Sequence, residues 1–328
     1  MSSSFSIVIP VFRERDNIVP LIERIAETVG ADCEVIFVDD GSEDGTEGVI
    51  EEVVRKYPFV KALFLGRRYG KGMALLVGYD AACFDTIITL DGDLQNDPAD
   101  IPKLLDALKE AHLVVGWRRR RRDSLSRRVQ SAFYNLALRL FAASPLHDVN
   151  SGFRAFRKCI LEKPLLRNER YRIFPLVTHY AGFAVKEVVV QHLPRHSGES
   201  KYGFSRIFSA LSDIFSADAV RYRIETEETG GVKPERGLFT SRLVSKKVSL
   251  TTKYIVMTVL LVLLLFICFL LVWRRQVHFF WYYYLLLAVG IFGFFLSLLL
   301  TFTSLRAETV LTSTKPVKPT RILPEEKG

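Results

Sequence analysis

Residues 86–98 read TIITLDGDLQNDP. Ile87, Ile88, Thr89 and Leu90 have the make-up of a buried strand, and they run straight into Asp91, Gly92 and Asp93. Two carboxylates one residue apart at the end of a strand repel each other unless something cationic lies between them. Gly92 permits a tight backbone at that point, and Gln95 adds a neutral oxygen. Oxygen donors of this kind suit a hard divalent cation, magnesium or manganese. Alone, the stretch reads better as a solvated Asp-rich turn, so its surroundings have to decide.

Upstream, apolar strands and amphipathic helices alternate. Phe5–Val11 reads as a strand and Arg15–Val29 as a helix with Ile18, Leu21, Ile22, Ile25 and Val29 on one face. Glu34–Val38 is a second strand ending at Asp39-Asp40-Gly41-Ser42, followed by a helix from Thr46 to Lys56. Val60–Leu65 is a third, and Gly70–Gly72 turns into a helix through Ala82. Thr86–Leu90 is the fourth, Pro98–Glu110 the next helix, and His112–Gly116 the fifth strand. This alternation predicts an α/β fold with a mostly parallel sheet covered on both faces. Ligands of such sheets bind beyond the carboxyl ends of the strands. Pro10, Asp39, Asp91, Asp93 and Trp117-Arg118 all fall there, which moves the acidic turn from loop to site.

The regularity then loosens. Arg118 to Arg128 holds seven arginines, and residues 123–143 form an amphipathic helix suited to a membrane interface. Asp148–Phe156 (DVNSGFRAF) reads as a turn and a strand, Tyr171–Tyr180 as a helix, and Phe183–Leu193 as an edge strand. Residues 194–202 form a polar loop, 204–220 a second amphipathic helix, and 221–252 a charged linker. Tyr254–Trp273 and Phe279–Leu305 are uncharged runs, each long enough to cross a bilayer. Residues 253–305 are therefore read as two transmembrane helices. Lys and Arg flank them on the outer sides, which predicts an integral membrane protein with the catalytic domain and both termini in the cytoplasm. Gly290, Gly293 and Ser297 would let spans pack closely, as in a homo-oligomer. The last ~20 residues, from about Arg306, read as a disordered tail. The four cysteines match no metal spacing and no disulfide frame.

The net charge of +9 suits an anionic lipid surface. The arginine run could instead be a solvated face or a nucleic-acid patch. No zinc finger, helix-turn-helix or interleaved aromatic platform accompanies it, so no nucleic acid is expected. A phosphate-bearing lipid substrate held by Arg forks is favoured by the adjoining amphipathic helix. Gly66–Gly72 (GRRYGKG) has the wrong spacing for a phosphate loop, and Met73 stands where that motif needs a hydroxyl.

Five segments in this order, IVIPVFRERDN, VDDGSEDGT, ITLDGDLQNDP, DVNSGFRAF and RHSGESKY, resemble the glycosyltransferase family 2 enzymes that load a sugar onto a polyprenyl phosphate. Dolichyl-phosphate mannose synthases and bacterial undecaprenyl-phosphate glucosyl- or aminoarabinosyl-transferases are the most similar types. The resemblance implies a GT-A (Rossmann-like) catalytic domain over residues 1–203. It also implies inverting transfer from a nucleotide-sugar of the GDP-mannose or UDP-glucose type. Pro10, Phe12, Glu14 and Asp39 match the motif for base and ribose, and Asp91, Gly92, Asp93 and Gln95 the metal and diphosphate motif. Arg118 and Arg127 match arginines for the acceptor phosphate. Arg195, Ser200 and Lys201 match a loop over the donor phosphates, and Asp148 stands where a base has been proposed. Arg13 and Arg68 replace asparagines usual in the family. A processive polysaccharide synthase lacks support, because Gln-x-x-Arg-Trp is absent and two spans make no channel. A non-catalytic scaffold fits the intact acidic and arginine motifs poorly.

Overall fold

Continuous apolar runs make strands that are buried on both faces, and the centre of this sheet is built from them. In the computed structural model, which describes residues 4–30, 33–119, 131, 134–136, 138–139, 144–167, 171–194 and 318–324, β1 (Phe5–Val11) lies between β2 (Cys33–Asp39) and β4 (Thr86–Thr89). β3 (Val60–Phe64) lies outside β2. These four strands are parallel. Between them run α1 (Arg15–Val29), α2 (Thr46–Lys56) and α3 (Lys71–Ala81). The helix expected over 98–110 is α4 (Ile101–Ala107) with a 3-10 turn at each end.

Strand alternation sends the two faces of the sheet to different helices. Ile7, Ile9, Val35 and Phe37 pack with Ile18, Leu21, Ile22 and Ile25 of α1 and Ile50 and Val53 of α2. The intervening Val8 and Val38 face α3. There, a Cβ on Gly78 would lie 2.3 Å from a Val8 methyl and 3.1 Å from one of Val38. That glycine is what lets the helix backbone come so close.

Pro10 is tolerated in this central strand for a geometrical reason. The Val8 carbonyl accepts the Leu90 N–H at 3.2 Å, so Pro10, two residues on, turns its backbone to the same side. β4 pairs with β1 only as far as Val8↔Thr89. The missing N–H therefore faces past the end of β4 and costs no ladder bond.

The second half departs from simple alternation. β5 (Leu113–Trp117) does not pair with β4. β6 (Arg154–Arg157) inserts between them, antiparallel to both, and β7 (Val185–Val189) adds parallel to β5 at the edge. The predicted helix over 171–180 is shorter, α5 (Phe174–Tyr180). The sheet order is β7-β5-β6-β4-β1-β2-β3-β8, mostly parallel, with β6 and β8 reversed. β8 (Arg321–Leu323) corrects the expectation of a disordered tail. It pairs with β3, where an edge backbone offered unpaired hydrogen-bonding groups.

All described residues belong to one unit of the chain; residues 140–143 and 204–313 form another. The runs expected to span a membrane, the 204–220 helix, the 221–252 linker and most of 123–143 lie outside the described residues. Among the described residues no helix is long and apolar enough to cross a membrane.

Glu34 ties three segments together at the amino-terminal side of the sheet. It is buried, and its carboxylate accepts from the Ser6 hydroxyl at 2.6 Å and the Cys83 N–H at 2.9 Å, while Lys61 Nζ lies at 2.6 Å. Burial pushes its pKa up, but these donors together outweigh burial and hold the carboxyl below the ordinary glutamate value of 4.5. Glu34→Ala strands the buried Ser6 and Cys83 donors and is expected to cost about 2–3 kcal/mol in urea unfolding. The folded pKa is depressed, so the contribution is complete above pH 4.5 and fades as pH falls through the lowered folded value. A variant within about 0.5 kcal/mol of wild type, the neutral range of surface changes, would remove this role.

Candidate active site at the carboxyl ends of the strands

β1, β2 and β4 deliver Phe12, Asp39-Asp40 and Asp91 to one edge. At the β2 end Asp39 is buried, and its carboxylate accepts from the Ser42 N–H at 3.0 Å and the Ser42 hydroxyl at 2.5 Å. Asp40 is buried beside it and accepts from the N–H groups of Tyr69, at 2.6 Å, and Gly70, at 2.9 Å. Burial raises both carboxyl pKa values, and these hydrogen bonds pull against it. Arg13 has φ 56°, and its N–H donates to Ser42 Oγ at 2.8 Å, which fastens the β1 end to this loop. The Phe12 ring carries the Arg68 guanidinium at 4.4 Å. Arg13 and Arg68, the two departures from the family pattern, thus both flank Phe12. Glu14 is buried and accepts from Asn17 Nδ2 at 2.6 Å. Asp44, next to the loop, accepts the Thr46 N–H at 3.2 Å, while the N-cap position of α2 is Gly45, without a side-chain cap.

The acidic turn sits against the β1 end. A Cβ on Gly92 would meet a Val11 methyl at 2.9 Å and lie 3.8 Å from Glu14 Cγ, so only glycine lets the turn close here. Leu94 is buried with φ 61°, a strained conformation for a non-glycine residue and of the kind that clusters at functional sites. The two carboxylates are unequal. Asp91 Oδ1 pairs with Lys71 Nζ at 2.5 Å, and its N–H donates to Asn96 Oδ1 at 3.2 Å. Burial works to raise the Asp91 pKa, but Lys71, Arg118 and Arg154 outweigh it and hold the carboxyl below the usual range. Asp93 accepts the Gln95 N–H at 3.2 Å and is only half-buried.

Past the turn, the loop 147–153 closes the other side. A Cβ on Gly152 would lie 2.5 Å from Asp91 Oδ1, so this glycine lets the loop pass over the carboxylate. Buried Arg154 holds the loop from below, donating to the carbonyls of Ser151 at 2.6 Å, Tyr171 at 2.6 Å and Val149 at 3.3 Å. Asp148 grips Arg118 bidentately, with Nε–Oδ2 at 2.8 Å and Nη2–Oδ1 at 2.9 Å, and both are largely buried. Glu187 of β7 accepts the N–H groups of His147 and Asp148 at 2.9 Å and meets His147 Nδ1 at 2.8 Å. The His147 ring stacks on Trp117 with centroids 4.3 Å apart.

The edge therefore brings together Pro10, Phe12, Glu14, Asp39, Asp91, Gly92, Asp93 and Gln95, with Arg118 just past β5, beyond β6, and Asp148 on loop 147–153. Arg127, Arg195, Ser200 and Lys201 lie outside the described residues. Lys71, Arg154, Gly152 and Glu187 were not singled out as site residues by sequence. A lone arginine in an apolar strand, FRAF, and the lysine of GRRYGKG are the signals that could have found two of them.

Among the described residues no three His, Cys, Asp or Glu side chains cluster as a metal cage. The donor set nonetheless fits a cation shared with a substrate. Magnesium is characteristically held by one or two carboxylates plus substrate phosphates. Asp93 is a half-exposed carboxylate beside the Gln95 amide, whereas Asp91 is already engaged by Lys71.

A sequence model described as Glycosyl transferase family 2 matches residues 6–164. The undecaprenyl-phosphate 4-deoxy-4-formamido-L-arabinose transferase of Proteus mirabilis is 34% identical over 216 residues, covering 64% of this chain and 66% of the relative. The dodecaprenyl-phosphate galacturonate synthase of Rhizobium johnstonii is 35% identical over 226 residues, 66% of each chain. The match thus spans just under two thirds of the length of these relatives. Glucosyl-3-phosphoglycerate synthase from Mycobacterium tuberculosis superposes with a TM-score of 0.52 at 19% identity, over 66% of this chain and 81% of that one. Its complex with Mn2+, UDP-glucose and phosphoglyceric acid gives 0.51 at 20% identity, over 76% and 88%. At such identity the likeness speaks for a GT-A-like fold alone. With the family match lying on the same strands that carry the acidic turn, residues 6–164 form a glycosyl transferase family 2 domain.

Proposed function

We propose that this protein transfers a sugar from a nucleotide-sugar to a polyprenyl phosphate, inverting the anomeric carbon. The observation that carries this reading is the arrangement on one sheet edge. Phe12 and Asp39 lie to one side of Asp91-Gly92-Asp93, and an Asp148-oriented arginine lies at the end of a strand to the other. Both prenyl-phosphate relatives, from Proteus and Rhizobium, are named for such substrates, which supports the acceptor class.

In this reading Phe12, Glu14 and Asp39 receive the base and ribose. Asp91, fixed by Lys71 and Asn96, shapes the turn that presents Asp93 and Gln95. Asp93 and Gln95, with Asp91 supporting, would hold magnesium or manganese, which would supply charge neutralisation for the departing nucleoside diphosphate. The manganese bound by the Mycobacterium synthase supports that chemistry. Arg118 and Arg127 draw the lipid phosphate to the opposite face of the sugar. A phosphate oxygen bonds to the anomeric carbon as the bond from that carbon to the nucleotide's terminal phosphate oxygen breaks. Phosphomonoesters lose their second proton near pH ~6, so the acceptor arrives largely dianionic and needs no strong base. Positioning and electrostatics supply the acceleration. Arg195, Ser200 and Lys201 close over the donor. Residues 253–305 anchor the domain at the cytoplasmic membrane face, with room for a homo-oligomer through the spans.

The deciding experiment incubates the purified full chain with GDP-mannose, UDP-glucose, UDP-galacturonate and a UDP-linked formamidoarabinose. Dolichyl and undecaprenyl phosphate serve as acceptors, and the lipid product is weighed by mass spectrometry. Product with at least one pair is expected; no glycosylated lipid with any pair overturns the reading. Glu187 gives a narrower check. Glu187→Ala frees the backbone of residues 147–148 that orients Asp148, so kcat with lipid phosphate should fall about tenfold. The nucleotide-sugar KM should stay near wild type. A rise in that KM alone would move Glu187 to the donor side.

A further inference from the structure

The sheet ends on β8, three residues that begin only 16 positions after the end of the chain's longest uncharged run. Its bonding is too specific for edge protection alone. Thr320 donates both its N–H and its hydroxyl to the Phe64 carbonyl, each at 2.8 Å. Arg321 lies over the Phe64 ring at 4.6 Å and reaches across to α2, pairing with Glu47 at 3.1 Å and with Glu51. Leu323 packs against the apolar core.

Phe64 is the last residue of β3, and the chain beyond it runs into the active edge. The Leu65 N–H donates to the Asp39 carbonyl at 3.0 Å. A Cβ on Gly66 (φ 70°) would lie 3.0 Å from the Thr320 side chain, so Thr320 seats directly on the start of the loop. Three residues on, the N–H groups of Tyr69 and Gly70 hold the Asp40 carboxylate, while Arg68 covers Phe12. A Cβ on Gly41 would meet the Arg67 backbone at 2.6 Å. Loop 66–70 is thus clamped between the tail on one side and the Phe12–Asp39–Asp40 cluster on the other.

We propose that the β3 edge is a docking strip for the chain's own residues 320–323, and that this strap positions loop 66–70 and thereby sets nucleotide affinity. The strap also returns the chain to the sheet. Before it the described chain reaches Pro194 beside the acidic turn, where the Leu193 N–H donates to the Gln95 carbonyl at 2.9 Å, and Thr320 resumes it at the β3 edge. The link to affinity rests on the nucleotide role proposed for Phe12 and Asp39; the mechanical link does not.

The test uses the full chain in detergent with two lesions. Thr320→Pro removes both bonds to Phe64, and Arg321→Glu places a like charge against Glu47 and Glu51. Hydrogen exchange reads the mechanical link without any ligand. The Tyr69 and Gly70 amides should exchange faster in both variants, and Glu47→Lys/Glu51→Lys should restore protection in the Arg321→Glu background. Calorimetry with UDP and with GDP, each with Mn2+, should show the Kd of whichever nucleotide binds wild type rising about fivefold or more. The KM for lipid phosphate should change less than about twofold, under half a kcal/mol. Unchanged exchange at Tyr69 and Gly70, even with a lowered Tm, overturns the strap and leaves an edge cap only. Faster exchange with unchanged nucleotide Kd overturns the affinity link. Faster exchange with neither nucleotide binding wild type overturns the nucleotide reading of the edge instead.

Discussion

Asp93→Ala is expected to lose sugar transfer by about a thousandfold or more, the scale seen when a preorganised electrostatic contact to developing charge is removed. The expectation follows from how differently the two carboxylates of the turn are used. Asp91 is tied to Lys71 at 2.5 Å and lies under the Gly152 backbone, so its charge is already answered from within the protein. Asp93 follows a glycine that only a tight approach to Val11 allows and precedes Leu94 in a left-handed conformation. Asp93 and Gln95 are both half-buried in the turn that follows β4. Two negative phosphates arriving there need a cation, and Asp93 is the half-buried carboxylate placed to share one. The variant should keep its fold, since Asp93 lies half-buried in the turn beyond β4 and outside the apolar core. Manganese-dependent binding of the nucleoside diphosphate should fall with activity, while the unfolding midpoint holds. Near-normal turnover would end the assignment of Asp93 to the leaving group.

Asp148→Asn gives the second large effect and separates two roles for that residue. A general base needs a lone pair facing the nucleophile, within hydrogen-bond reach. Both Asp148 oxygens are instead taken by the Arg118 guanidinium, at 2.8 and 2.9 Å. An amide cannot accept two such bonds, so Arg118 loses its planar fork partner and its direction. Transfer should drop about a hundredfold, the cost of misplacing an oriented group. Arg118→Ala should cost a similar amount. The double variant should cost little more than either single change, because the two act as one unit. The acidic limb of the pH–rate profile should stay where the lipid phosphate titrates, near pH ~6. Disappearance of that limb in Asp148→Asn, with Arg118→Ala much milder, would make Asp148 the base after all.

Much of the β1–β4 half was legible in the sequence. β1 to β4 and α1 to α3 fall within a residue or two of where periodicity put them. Asp39 and Asp91 were assigned to strand ends because a run of apolar residues stops at each. The β5–β7 half was less legible. Residues 148–156 were readable as a turn and strand, but nothing local says that β6 slips between β4 and β5 in the reverse direction. Strand pairing is chosen by contacts between segments far apart in sequence, and a period-2 pattern carries no partner's name. The same limit hid Lys71. Its motif was weighed as a phosphate loop and set aside, correctly on spacing, yet its ammonium sits 20 positions from Asp91 in sequence and 2.5 Å from it in space. The tail was misread because three residues bury too little surface to be a strand alone. β8 exists because β3 offered an open edge and α2 offered Glu47 and Glu51.

The amino-acid sequence by itself determined the class of fold, the family 2 domain and the end of the sheet at which the acidic residues gather. Apolar periodicity, turn glycines and strand-terminal carboxylates are local properties, written in consecutive residues. Only the tertiary structure decided which charges answer one another. It gave Asp91 to Lys71, Asp148 to Arg118 and the backbone of 147–148 to Glu187, and it laid the tail on β3. Those choices depend on distances between residues about 20 to more than 250 positions apart, because electrostatic and hydrogen-bond energies fall off over a few ångströms in space and not along the chain.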